Sequence, residues 1–139
     1  MPEIKLKGDA LKMSIKPDFL KCKHCGNIVG TIKNNGPAIV CCGEPMAELI
    51  ANTTDAALEK HVPVVERDGT TLKVKVGSVE HPMTEEHLIE WICVMTETTT
   101  IRTRLEPGIK PEAIFYGVEG PATVYEYCNL HGLWKADVE

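Results

Sequence analysis

The chain has 139 residues, 43% apolar and 25% charged, with a formal net charge of −5; this globular composition suits one ordinary domain or two small ones. The acidic balance, with no basic stripe interleaved with aromatics, excludes a nucleic-acid footprint. No apolar run approaches the ~20 residues that cross a bilayer, and the N-terminal MPEIKLKGDALKMSIKPDF reads as no secretory leader, so the expectation is a cytoplasmic protein with no membrane partner.

Residues 1–18 carry Lys5, Lys7, Lys12 and Lys16 between the breakers Gly8 and Pro17, and read as an N-terminal extension. From Phe19 the signals become short and β-like. Residues 28–32 predict a brief strand, Asn34-Asn35-Gly36-Pro37 a turn, and residues 38–42 its partner strand. Gly26 and Gly43 each follow a cysteine pair, where a tight turn needs positive φ. A unit of about 35 residues has too little core to fold alone, so a bound metal would supply the missing stability.

Asn52-Thr53-Thr54-Asp55 ends this unit, with Thr54 as the N-cap of a short helix through Leu58 and Glu59. Then come residues 62–66, a turn at Asp68-Gly69, and Leu72, Val74 and Val76 alternating with Lys73 and Lys75. The apolar run 88–95, the Thr-rich 96–104, and residues 113–118 and 122–127 complete the series. Strands at short intervals with almost no helix predict an all-β chain ending in an antiparallel sandwich.

Six cysteines in a reducing compartment read as metal ligands or plain thiols, not disulfides. Cys22-x2-Cys25-x15-Cys41-Cys42 brings four thiolates from two turns of one small unit. Adjacent Cys41 and Cys42 are poorly placed to bridge each other but can share one ion. Four sulfurs suit zinc or a single iron, and spacing alone does not separate a structural staple from a redox centre. His24, between the first two cysteines, reads as an exposed non-ligand.

A second group lies downstream. His61 follows the short helix, His81 and His87 flank Pro82-Met83-Thr84-Glu85-Glu86, and Cys128-Asn129-Leu130-His131 forms a tight pair. All five fall at strand ends or in connections, where a sandwich gathers its functional loops. Neutral imidazoles with one thiolate suit iron or copper, and five ligands leave one octahedral position for a small molecule.

These residues carry a resemblance. The segments Glu59-Lys60-His61-Val62-Pro63-Val64, Gly77-Ser78-Val79-Glu80-His81-Pro82-Met83, His87-Leu88-Ile89-Glu90-Trp91-Ile92 and Glu126-Tyr127-Cys128-Asn129-Leu130-His131-Gly132 resemble the desulfoferrodoxin family of two-iron superoxide reductases. Cys22-Lys23-His24-Cys25-Gly26-Asn27 and Val40-Cys41-Cys42-Gly43-Glu44-Pro45 are similar to that family's desulforedoxin-like unit. The resemblance implies such a unit at 19–51, then an immunoglobulin-like catalytic sandwich at 52–139, in a homodimer. It implies two irons. Cys22, Cys25, Cys41 and Cys42 hold the first, with zinc possible there by misloading. His61, His81, His87, His131 and an axial Cys128 hold the second.

The implied activity is one-electron reduction of superoxide to hydrogen peroxide without release of dioxygen. Electrons would come from a donor such as rubredoxin or a reductase. Lys60 would steer the anion and order a proton-donating water, and Glu59 would be the sixth ligand of the oxidised iron. Cys93 reads as an ordinary packed thiol, and Trp91 and Trp134 as packing. The competing readings are an electron carrier with a closed histidine site, and a storage or structural protein in which the ions only support the fold.

Overall fold

A computed structural model describes residues 19–139; the expected extension, 1–18, lies outside the described residues. The chain divides into two compact units between Leu49 and Ile50. In the first, β1 (Phe19–Lys21) is the centre of a three-stranded antiparallel sheet between β2 (Ile28–Gly30) and β5 (Ala47–Leu49). The expected pairing of residues 28–32 with 38–42 does not form. Instead β3 (Val40–Cys41) folds directly onto β4 (Glu44–Pro45).

Each cysteine pair sits at the turn of its own hairpin. Cys22 to Gly26 turns β1 into β2, closed by Gly26 N–H to Cys22 O at 3.0 Å and Cys22 N–H to Asn27 O at 2.9 Å. Gly26 has φ 81° and Gly43 φ 76°, as the turns require, and Cys42 itself takes φ 53°. That left-handed residue reverses the chain within two positions, leaving residues 38–42 no length with which to reach β2.

The second unit begins with a short helix that starts later than expected. Helix α1 spans Leu58–His61 with Ala57 at its N-cap and no side-chain cap, so Thr54 does not cap it. Seven strands follow: β6 (Pro63–Asp68), β7 (Thr71–Val76), β8 (Ile89–Met95), β9 (Thr100–Arg104), β10 (Glu112–Phe115), β11 (Ala122–Cys128) and β12 (Gly132–Val138). They form two antiparallel sheets, ordered β10-β7-β6 and β12-β11-β8-β9, with β6 lying against β11 and β12. The alternation read at residues 72–76 holds, with Leu72, Val74 and Val76 buried and Lys73 and Lys75 exposed. Strand β12 was not anticipated, because its mixed sequence GLWKADV shows no clean alternation.

The core between the sheets joins Leu72, Val74, Val76, Ile92, Val94, Phe115, Val124 and Cys128 with their neighbours. Register places the start of β6 opposite the end of β7 (Pro63 with Val76), and the end of β11 beside the starts of β8 and β12 (Cys128 with Ile89 and Gly132). One end of the sandwich therefore collects the helix, the β7–β8 connection and the β11–β12 turn.

Glu126 interrupts the core. It shares a face of β11 with Val124 and Cys128, is 0% exposed, and neither carboxylate oxygen has a hydrogen-bond partner among the described residues. Burial pushes its carboxyl up from 4.5 to about 9. Between those values the folded chain keeps a proton that the unfolded chain has released, so this group's contribution is full below about pH 4.5 and is lost as pH rises toward 9. Glu126→Gln cannot ionise. Its stability relative to the parent, from denaturant unfolding of the metal-loaded proteins, is expected to rise steadily from pH 5 to pH 8; a pH-independent difference would contradict the assignment.

Candidate metal centres

At the gathering end of the sandwich, the ligand atoms of His61, His81, His87, Cys128 and His131 all lie within 4.8 Å of one another. The four imidazoles contact edge to face in a closed circuit: His61–His81 at 4.8 Å between centroids, His81–His87 at 4.6 Å, His87–His131 at 5.1 Å and His131–His61 at 4.9 Å. Four rings joined in a circuit form the sides of a square. Cys128 Sγ approaches two opposite corners, 3.4 Å from His81 Nε2 and 3.7 Å from His131 Nδ1.

Local hydrogen bonds decide which nitrogen faces the cluster. His61 Nδ1 donates to Ala57 O at 2.7 Å and His81 Nδ1 to Pro82 O at 2.6 Å, leaving both Nε2 atoms with lone pairs turned inward. His61 Nε2 lies 3.1 Å from His131 Nδ1. His87 Nε2 is buried without a hydrogen-bond partner among the described residues. Burial holds His61, His87 and most of all His81, at about 4, below the ordinary imidazole range, so these rings are neutral and ligand-competent at pH 7. Burial also pushes the Cys128 thiol up, partly offset by the backbone N–H groups of Leu130 and His131.

Five donors converging on one point, one of them an orphaned buried nitrogen, fit a metal ion and little else. The loops carrying them are tied together. Asn129 accepts from Leu88 N–H at 3.0 Å and donates to Glu86 O at 2.9 Å, joining the His87 loop to the Cys128–His131 turn. Thr84 Oγ1 accepts His87 N–H at 3.0 Å. Trp134, fully buried, stacks on His61 at 4.9 Å and donates from Nε1 to His131 O at 3.0 Å.

Trp134 packs as the sequence suggested, here against His61, and Asn129 is a supporting residue that sequence reasoning missed. Asn129 stands next to the ligand Cys128, which is the one signal that pointed to it. Glu59 and Lys60 lie on α1, both exposed, immediately before His61. An open cleft of about 410 Å³ is lined by Lys60, Glu80, His81 and Lys110, among others.

In the N-terminal unit, the sulfurs of Cys22, Cys25, Cys41 and Cys42 likewise lie within 4.8 Å of one another. Backbone N–H groups of Cys25 and His24 point at Cys22 Sγ at 3.5 and 3.4 Å, and with the first as the leading cause they hold that thiol down at about 6. Its neighbours pay for this: the adjoining sulfurs push Cys41 up and Cys42 to about 12. Four thiolates cannot share this volume without a cation, so the donor set fits a tetrahedral metal. His24 is exposed and bonded to Glu44 at 3.1 Å, outside the sulfur cluster. Cys93 belongs to neither cluster; it is 1% exposed in β8, and burial pushes its thiol up to about 11.

Comparison with known proteins agrees with both halves. Residues 53–137 match the family described as Desulfoferrodoxin, and residues 15–49 its N-terminal domain. The desulfoferrodoxin of Syntrophotalea carbinolica is 50% identical over 125 residues, covering 90% of this chain and 99% of that one. The superoxide reductase of Treponema pallidum is 36% identical with a TM-score of 0.70, covering 86% of this chain and 98% of that one. The superoxide reductase (1Fe-SOR) of Giardia intestinalis, 32% identical with a TM-score of 0.52, covers 58% of this chain and 98% of that one. Matched along almost all of its described length, and carrying both donor sets in folded form, the chain belongs to the desulfoferrodoxin family.

Proposed function

We propose that this chain is a superoxide reductase, converting superoxide, one electron and two protons into hydrogen peroxide. The observation that carries the reading is the closed circuit of four imidazoles with Cys128 beside it, five donors where a closed octahedral site would need six. His61, His81, His87, His131 and Cys128 would hold the iron that supplies the electron, and Cys22, Cys25, Cys41 and Cys42 would hold a second iron.

The remaining work falls to side chains. The substrate is an anion and the chain carries −5 overall, so approach depends on local positive charge. Lys60, exposed beside His61 and on the wall of the cleft, is that charge and orders the water that delivers protons. Neutral imidazoles add no negative charge to repel the anion. Glu59 is the carboxylate that would complete the ligand set of the oxidised iron. Cys128 is the electron-rich donor, kept from water by the sandwich core.

We assign the catalytic role to residues 52–139 and the four-cysteine iron site to residues 19–51, with electrons from a donor such as rubredoxin or a reductase. Homodimerisation rests on the family relationship and is checked by sedimentation. Six free cysteines, four of them in one metal-binding cluster, support a reducing, cytoplasmic setting.

Mixing the reduced protein with a pulse of superoxide and following the ferric–thiolate absorption tests the activity. Near diffusion-limited oxidation is expected; slow oxidation, or oxidation that survives loss of the histidine-bound iron, would sink the reading. Lys60→Ala should slow superoxide capture about tenfold or more with iron content unchanged; an unaltered rate removes its steering role. Cys128→Ser should abolish the ferric–thiolate band of the histidine-bound iron and leave the absorption of the four-cysteine iron unchanged; persistence of the first band means the thiolate donor is misassigned.

A further inference from the structure

The carbonyl of Glu59 lies at the end of a helix that cannot satisfy it. In a continuing α-helix it would accept from the residue four positions on, which is Pro63 and has no N–H. The donors come instead from the turn after β7. Val79 N–H reaches Glu59 O at 2.8 Å, and the Ser78 hydroxyl reaches it at 3.3 Å.

Gly77 makes that approach possible. A Cβ built there would stand 2.5 Å from Glu59 O, 3.0 Å from Lys60 C and 3.2 Å from Glu59 C, the first of these closer than real Cβ contacts come. The requirement is for space and not for a left-handed backbone, because φ at Gly77 lies outside the positive range. The same turn closes on itself through His81 N–H to Val76 O at 3.0 Å and ends at His81. One short segment thus fixes a metal-ligating histidine at its end and grips the Glu59–Lys60 backbone along its side.

We propose that Gly77, Ser78 and Val79 are positioning residues for the charged pair: they hold the Glu59–Lys60 peptide against the β7 turn, so that the Lys60 ammonium stands beside the histidine circuit. The two sides of this contact differ in stiffness. Strand β7 is paired on both edges and Val76 is fully buried, whereas α1 is four residues long, uncapped by a side chain and exposed at Leu58, Glu59 and Lys60. His61 is separately held by Ala57 O and by stacking on Trp134. A methyl at position 77 is therefore relieved by displacement of Glu59 and Lys60, with the ligand His61 kept in place.

This inference rests on the superoxide reductase reading for its rate measurement, and a double-mutant cycle tests it. Gly77→Ala is expected to keep both irons and the ferric–thiolate band. It should lower the rate of superoxide capture about tenfold and flatten its dependence on ionic strength, as loss of a well-placed cation does. In a Lys60→Ala background the same substitution should change the rate little, because the two act through one charge. Additive effects, or loss of histidine-bound iron from Gly77→Ala, would overturn the proposal.

If Gly77→Ala does not accumulate as folded protein, Ser78→Ala takes its place in the cycle, with an expected loss of about threefold for one hydrogen bond; no loss overturns the proposal equally. Hydrogen exchange at the Val79 amide, slow in the parent and faster in Gly77→Ala, reads the clamp without superoxide. A parent that ignores superoxide but shows this exchange pattern would fail the reductase reading and leave the clamp standing. Unchanged exchange fails the clamp alone.

Discussion

Lone pairs from five side chains aimed at one point inside a protein repel one another and exclude water, and no rearrangement of hydrogen atoms relieves all of them. The histidine circuit with Cys128 is such an arrangement, and so, with four sulfurs, is the N-terminal cluster. A cation resolves both. The rest of the molecule can be understood as the scaffold that keeps these donors converged against their mutual repulsion: the seven-stranded sandwich for one set, two back-to-back hairpin turns for the other.

The scaffold acts through specific hydrogen bonds as well as bulk packing. The carbonyls of Ala57 and Pro82 take the outer ring protons of His61 and His81, fixing the tautomers. Asn129 and Trp134 link loops that arise far apart in sequence. Pro63 removes a helical donor, and the β7 turn replaces it. The first two contacts restrain ligand rings, and the others restrain the backbone beside a ligand or a charge, so the donor geometry depends less on the ion that fills it.

Much of this was legible in the sequence, for identifiable reasons. Ligand residues are chemically distinctive, so both sets are named by residue type and local motif although the histidine set is spread from His61 to His131. The alternation of Leu72, Val74 and Val76 named a half-buried strand directly. Strand β12 was not legible, because its place at a sheet edge beside β11 relaxes the need for strict alternation. The pairing of residues 38–42 was misread because a left-handed Cys42 allows a reversal that ordinary turn residues do not advertise. Glu126 was invisible for the opposite reason: nothing about a glutamate in a strand announces that it points inward, unpartnered, two residues before a metal-ligating thiol.

On the proposed function, the incomplete five-donor site passes one electron to superoxide and takes none back. Product stoichiometry tests that most directly. With the iron kept reduced by a chemical donor under a steady flux of superoxide, peroxide and dioxygen are measured together. The account predicts one hydrogen peroxide for each superoxide consumed and no enzyme-dependent dioxygen. One peroxide and one dioxygen for every two superoxide ions would show dismutation instead, and would contradict it.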